Sequence, residues 1–382
     1  MRPAPSPSNE SSRFRSLDGL RGVAALSVVV LHLLSVFVGT AYPRYQGFDH
    51  LIGELGRTPL QALWGGGQAV TLFFILSGFA LHRMLLAQPM HYFAFACRRL
   101  IRLWIPYAVV LTVSVLFLEL TGTRRIVGQS AWMNSLLGTM PSAGLVLQHL
   151  LAVGEFDTKP IDFVVWTLVQ EFRLSLLFPV IFWTVNRYKW PSLLIVSFAL
   201  SLPATYMAHL NPESLVSPLS TASVQFQFVI GAILSRQEHA IHRLYLSTSA
   251  LSRITLLVLA FVLYSNCLGL SSTYSQVVGA TLLLVIALCS PTAMRFLSLA
   301  SIQWLGAISY SLYLCHGVLL LRLINGGYPR LSFLTIVAIA GPLSLFAAEA
   351  LCRFVERPTI ILSRVAGRRV ERACAVPARS AS

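Results

Sequence analysis

A chain of 382 residues that is 55% hydrophobic and only 11% charged, with a mean hydropathy of +0.70, is no water-soluble globular domain, which carries about 25% charge. At roughly 20 apolar residues per crossing, this length fits a bundle of about ten membrane helices and leaves no room for a second folded module. The net charge of +15 arises from 29 Lys and Arg against 14 Asp and Glu, and all but Lys159 and Lys189 of the basic residues are Arg. In a membrane chain that excess sets topology first. No nucleic-acid motif accompanies it, and the six scattered cysteines form no CxxC pair and have no His at ligand spacing, so neither a disulfide framework nor a metal site is expected.

Taken in chain order, residues 1–16 are rich in Pro and Ser and predict a disordered tail. The apolar run from Leu17 to about Gly39 is long enough to span, which predicts a first membrane helix rather than a cleaved leader. Further spans are expected near 68–87, 100–120, 163–185, 190–208, 216–235, 251–269, 273–291, 302–322 and 331–353. The sixth is the weakest, because Pro218, Gln225 and Gln227 interrupt it. The stretch 121–162 is apolar in its middle but broken by Gly138, Pro141 and Gly144, which predicts a re-entrant or interfacial helix. Ten spans put both termini on one side; 21 of the 29 basic residues then fall on that side and seven on the other. The positive-inside rule makes the termini cytoplasmic, with 17–358 as the transmembrane domain and 359–382 as a basic tail.

Ionisable side chains inside a bilayer cost about 2.5–3.5 kcal/mol on insertion scales and call for a partner or a role. Arg21 and His32 lie eleven residues apart in the first span, close to three full turns, so both project from one helix face about 16 Å apart along the axis. The fourth span carries Glu171 and Arg173, two positions apart; such residues do not face each other on a helix, so each needs partners elsewhere. Arg98, Arg99 and Arg102 cluster at the start of the third span, where guanidinium groups suit bidentate phosphate binding or serve as plain topology anchors. Ser309, Tyr313 and His316 form a polar stripe at i, i+4 and i+7 of the ninth span, facing either a neighbouring helix or a water-filled cavity. The mid-helix Ser77-Gly78 pair is explained by close helix packing alone.

Taken in order, these segments resemble the membrane-bound acyltransferase-3 family. The matching motifs are Leu17-Asp-Gly-Leu-Arg-Gly with Arg21 and His32; Phe73-Phe-Ile-Leu-Ser-Gly-Phe79; Arg98-Arg-Leu-Ile-Arg-Leu-Trp-Ile-Pro106; Trp166-Thr-Leu-Val-Gln-Glu171 with Phe178-Pro179; Phe228-Val-Ile-Gly; Leu305-Gly-Ala-Ile-Ser-Tyr-Ser-Leu-Tyr-Leu-Cys-His316; and Glu356-Arg-Pro358. The resemblance implies an all-α polytopic bundle in a bacterial inner membrane. Its implied activity is acyl transfer, acetyl by default, from acyl-coenzyme A as co-substrate to a carbohydrate hydroxyl, with no tightly bound cofactor. It makes Arg21, His32 and Glu171 the catalytic set and places Arg98, Arg99 and Arg102 at the donor entrance. Trp166, Arg173, Ser309, Tyr313 and His316 would line the cavity. Where many members carry an aromatic-rich stretch after the Glu, this chain has Arg173 and Ser175, a departure that bears on the acceptor pocket.

The chemistry this implies starts from a histidine that accepts the hydroxyl proton as the acceptor attacks the thioester, a step worth about 10²–10⁴-fold. That role falls to His32, with an acyl-histidine intermediate equally compatible. Glu171 orients the imidazole or pairs with an Arg, and Tyr313 is a candidate oxyanion donor. A glycan or lipid transporter without acyl transfer is the competing reading, and a scaffold for glycan assembly is a third.

Overall fold

The computed structural model describes residues 7–152, 154–210, 215–265, 267 and 273–374, and the chain it shows is built from helices, with no strand among those residues. In chain order they are α1 (Pro7–Ser35), α2 (Pro43–Gly56), α3 (Gly66–Ala87), α4 (Tyr92–Thr121), α5 (Ala131–Leu137), α6 (Ala143–Leu151), α7 (Val165–Arg187), α8 (Trp190–Leu210), α9 (Pro218–Arg236), α10 (Glu238–Ser247), α11 (Ala250–Ser265), α12 (Thr273–Cys289), α13 (Pro291–Leu297), α14 (Ala300–Gly327), α15 (Phe333–Leu351) and α16 (Arg357–Cys374). Eight helices are long and apolar enough to cross a membrane. A ninth span is counted if α12 and α13, bent by 92° at Ser290, act as one. The seventh expected span, 251–269, becomes α11, only 16 residues long. The chain is thus an all-α polytopic membrane protein.

Proline interrupts less than its frequency suggests. Pro218 opens α9 at its first turn, where a missing N–H costs nothing, and Ser217 caps that turn by accepting from the Ser220 amide. Gln225 of the same helix donates to the Ser197 carbonyl of α8 at 2.6 Å, so the weakest predicted span is a full helix whose amide is satisfied by a neighbour.

Two helix pairs owe their closeness to glycine. A Cβ on Gly22 or Gly306 would collide with the backbone of the opposite helix, locking α1 against α14, and Gly78 and Gly231 do the same for α3 and α9. With no apolar driving force between helices in lipid, such close backbone approach supplies the packing energy. The Ser77-Gly78 pair therefore has the packing role read for it, with Ser77 adding a polar contact described below.

The 121–162 segment folds as the short helices α5 and α6. Trp104 donates its indole N–H to the Leu150 carbonyl at the end of α6 at 2.6 Å. Trp104 lies 17 residues before the end of α4, so the tip of α6 sits about 25 Å along that helix from its far end. The chain then climbs back, since Ser114, ten residues further along α4, donates to the Ile161 carbonyl at 2.7 Å. This is a re-entrant hairpin, and its irregular backbone is acceptable at that depth because protein groups satisfy it.

In both segments read as tails the described residues are helical, against the disorder expected of residues 1–16. Helix α1 already begins at Pro7. At the other end, α15 continues through a π turn at Cys352–Glu356 into α16, giving one helical run from Phe333 to Cys374 of 42 residues. Packing explains the difference: Gly367 lets α16 lie against Arg98 of α4, and Glu371 accepts from the His91 amide at 3.0 and 3.1 Å, capping the start of α4. Residues 1–6 and 375–382 of those tails lie outside the described residues.

Candidate active site

Because α1 and α14 run parallel in close contact, with Gly22 against Gly306 and His32 against His316 further along, the polar residues of one helix meet those of the other in two layers. In the layer nearer the chain termini, Arg21 donates its Nε to Ser309 Oγ at 3.0 Å and pairs with Asp18 at 2.9 Å. In the second layer, His32 Nδ1 lies 2.9 Å from His316 Nε2, with the rings inclined by only 15°. The stripe of Ser309 and His316 on α14 thus answers the Arg21 and His32 spacing on α1 residue for residue.

The hydrogen bonds of this pair fix its protons. The Nδ1 of His316 is 3.0 Å from the Leu312 carbonyl oxygen, which can only accept, so His316 carries its proton there when neutral. Its Nε2 is then the acceptor, and the His32 Nδ1–H donates to it. What remains on His32 is the Nε2 lone pair, the basic nitrogen of the pair. A backbone carbonyl on α14 therefore sets, through two rings, which nitrogen of His32 takes up a proton.

Aromatic rings enclose the same imidazole. Phe163 meets it edge-on at 4.8 Å, and Trp132 of α5 lies nearly parallel to it at 6.4 Å. Trp132 and Phe163 were not among the expected site residues. No periodicity marks them, since Trp132 lies on the short helix α5 and Phe163 in the turn just before α7, and the folding-back of the 121–162 segment carries Trp132 to His32.

Glu171 and Arg173 do seek separate partners. Arg99 donates to Glu171 Oε1 at 3.0 Å and to Ser175 at 2.9 Å, and Ser77 donates to the same carboxylate at 3.3 Å. Glu171 belongs to this Arg-centred cluster; the group that orients the His32 ring is His316. Arg173 turns away, donating to the carbonyls of Val216 at 2.6 Å and Gly154 at 2.7 Å. It ties the re-entrant hairpin and the start of α9 to α7, and Trp166 packs in the apolar cluster of Ala152, Val169 and Val216 nearby. Ser175, the departure noted after the Glu, is buried and serves Arg99.

The three arginines of α4 separate in space. Arg98 lies against α16 and donates to Gln88 at 3.1 Å. Arg99 turns inward to Glu171, its side chain 11% exposed. Arg102 is exposed, lies in the same electrostatic neighbourhood as Arg99, Arg21, Glu356 and Glu171, and makes none of the ion pairs found among the described residues. Glu356, from the π turn, is buried and accepts from Ser311 of α14 at 2.7 Å. Tyr313 directs its hydroxyl to the Val164 carbonyl at 3.0 Å and to Thr167 at 2.5 Å, so it braces α14 against α7 rather than offering a free donor.

The site therefore joins a base whose free lone pair is set by structure to a cationic cluster about 16 Å away along α1. No curated protein and no solved structure matches this chain. Residues 14–352, nearly all of the helical bundle and every residue of both polar layers, match the acyltransferase-3 family model, described as an acyltransferase domain. The chain belongs to the acyltransferase-3 family of membrane acyltransferases.

Proposed function

We propose that this acyltransferase moves an acyl group, acetyl by default, from acyl-coenzyme A to a hydroxyl of a carbohydrate: a surface polysaccharide, a lipid-linked glycan or a glycosylated small molecule. The observation that carries the reading is the His32–His316 pair with the His32 Nε2 lone pair left free. In the proposed step, Nε2 of His32 removes the proton of the acceptor hydroxyl as its oxygen attacks the thioester carbon. The carbon–sulfur bond breaks, the coenzyme leaves as thiolate, and the proton held on His32 passes to that sulfur. As His32 becomes cationic, its Nδ1–H bond to neutral His316 strengthens.

The donor is polyanionic. Its phosphates meet Arg102, the exposed guanidinium of the cluster, together with Arg21 at the termini end of the bundle, and the narrow pantetheine arm extends from there toward His32. Arg99 and Glu171 neutralise each other and hold the wall between α4 and α7 behind that arm. Arg98 contributes by seating α16. The excess of basic residues on the side of the termini supports a cytoplasmic entrance for the donor, and a bacterial inner membrane is the proposed location. The bundle approaches the acceptor from the opposite end, past Trp132.

Membranes containing the protein or its His32→Ala variant are incubated with acetyl-labelled acetyl-coenzyme A, and label is followed into lipid-linked, polysaccharide and small-molecule fractions. Label entering a carbohydrate fraction only with the intact protein is the expected result. Transfer by the His32→Ala variant at more than about one per cent of the intact rate would refute the role of His32, since loss of a general base costs about 10²–10⁴-fold.

A further inference from the structure

At the end of the bundle away from the termini, the last turn of α4, the last turn of α14 and the chain that follows each line an open pocket of about 530 Å³. Its walls are Leu120 and Thr121 of α4, Arg124 just beyond, Asn325 and Gly326 of α14, and the Tyr328-Pro329-Arg330 stretch. Two guanidinium groups therefore line it, and no acidic side chain does.

The pocket is built on a braced frame. Arg124 sits over the Tyr328 ring, 5.7 Å from its centre, and that ring stacks on Phe333 at 4.7 Å and 3°. The Tyr328 hydroxyl meets that of Tyr42 at 2.9 Å. Asn325, 6% exposed, donates to the Gly122 carbonyl at 3.3 Å and so joins the two helix ends, while its Oδ1 has no partner. One helical turn below, Arg322 is 5% exposed, and its Nε and Nη1 have no hydrogen-bond partner. Arg322 is coupled to the buried Asp162 and does not line the pocket, whose charge rests on Arg124 and Arg330.

The position of the pocket indicates where its ligand comes from. Leu120 on its rim is 83% exposed, and Leu116 and Phe117 on the preceding turn are 58% and 44% exposed, so this side of α4 faces lipid. A basic pocket between membrane helices, open at the level where apolar surface gives way to arginine, matches a lipid headgroup in its charge and its apolar rim. We propose that this pocket binds the phosphate headgroup of an anionic membrane lipid in the leaflet opposite the chain termini. Arg124 and Arg330 contact the phosphate, and the acyl or prenyl chains lie along Leu120 and Leu116. The site is separate from the His32–His316 pair: Asn325 lies nine residues beyond His316, on the opposite face of α14 and about 13 Å further along its axis.

The test titrates the purified full chain, in a neutral detergent, with dioleoylphosphatidylglycerol, dioleoylphosphatidylcholine or undecaprenyl phosphate, and counts bound lipids by native mass spectrometry. One phosphatidylglycerol should bind roughly ten- to thirtyfold more tightly than phosphatidylcholine, the order expected of two basic groups near a phosphate. The R124Q/R330Q variant should lose that preference while keeping its melting temperature in phosphatidylcholine, and Arg44→Gln, at the same end but held over Tyr42 and Tyr45, should retain it. Undecaprenyl phosphate displacing phosphatidylglycerol would identify a prenyl-linked lipid as the occupant; the reverse would identify a phospholipid. Equal affinity for the charged and zwitterionic lipids, a preference that survives in R124Q/R330Q, or an equal loss in Arg44→Gln would overturn the proposal.

Discussion

Removing the acceptor behind the proposed base, His32, isolates what the His32–His316 hydrogen bond contributes. In His316→Ala, His32 Nδ1–H loses the nitrogen 2.9 Å away, its proton is no longer assigned to one nitrogen, and the cation formed during reaction is left without its partner. A hydrogen bond to a charged group is worth about 1.5–3 kcal/mol, so kcat should fall about 10- to 150-fold with little change in the KM for the donor. His316→Gln keeps an oxygen able to accept that proton and should recover part of the loss. The assay is coenzyme A thiol release by the purified protein in vesicles, run for His316→Ala, His32→Ala and the double variant. Groups that act as one unit are strongly non-additive, so the double variant should be no slower than His32→Ala alone. A double variant slower by the product of the two single effects, or a His316→Ala enzyme at wild-type rate, would refute the pairing as a catalytic device.

Three further outcomes test other parts of the structure. Gly306→Ala places a methyl against the Asp18 backbone of α1 and should destabilise the bundle by about 1–3 kcal/mol, measured as a lower melting temperature in detergent with weaker binding of α1 to α14 in split-chain complementation; an unchanged melting temperature would contradict the packing. Arg99→Ala leaves Glu171, 25% exposed, without its partner and should cost about 3 kcal/mol, whereas R99M/E171L should regain stability without regaining full activity. Trp132→Ala should raise the acceptor KM by up to about tenfold, since aromatic contacts contribute about 0.5–1.5 kcal/mol each, and leave the donor KM unchanged; equal effects on both would place Trp132 outside the acceptor path.

Hydropathy made most of the bundle legible, because crossing a bilayer demands a run of apolar residues that tertiary context does not alter. The re-entrant segment was legible for the complementary reason: an apolar stretch broken by Gly138, Pro141 and Gly144 is too interrupted to span. What hydropathy left open was contact between helices distant in sequence. Arg21 with His32, and Ser309 with His316, were each visible as spacings along one helix, but their pairing across 284 residues depends on the α1–α14 crossing, which the separate glycines specify only once both are placed. Arg98, Arg99 and Arg102 read as one cluster, yet a helix turns about 100° per residue, and the structure sends the three to α16, to Glu171 and into the open. The basic composition of α16 resembled a solvated tail, and only its fit against α4 shows why it is helical.

The π turn at Cys352–Glu356 acts as a phase shifter between two halves of one rod. Forty-two residues at 1.5 Å each make a helix of about 63 Å, twice the thickness of the hydrocarbon layer, and a rod of that length has to meet its membrane partners and its partner beyond them in a single rotational setting. The wide turn allows Glu356 to face Ser311 while Gly367 faces Arg98. Winding the same five residues as ordinary α-helix, each turning further than in the wide turn, would rotate everything beyond them to another face, turning Gly367 off α4 and withdrawing Glu371 from the His91 amide. The rotational phase of the five turns of α16 is thereby set within five residues, at the point where the rod passes the Arg102 cluster.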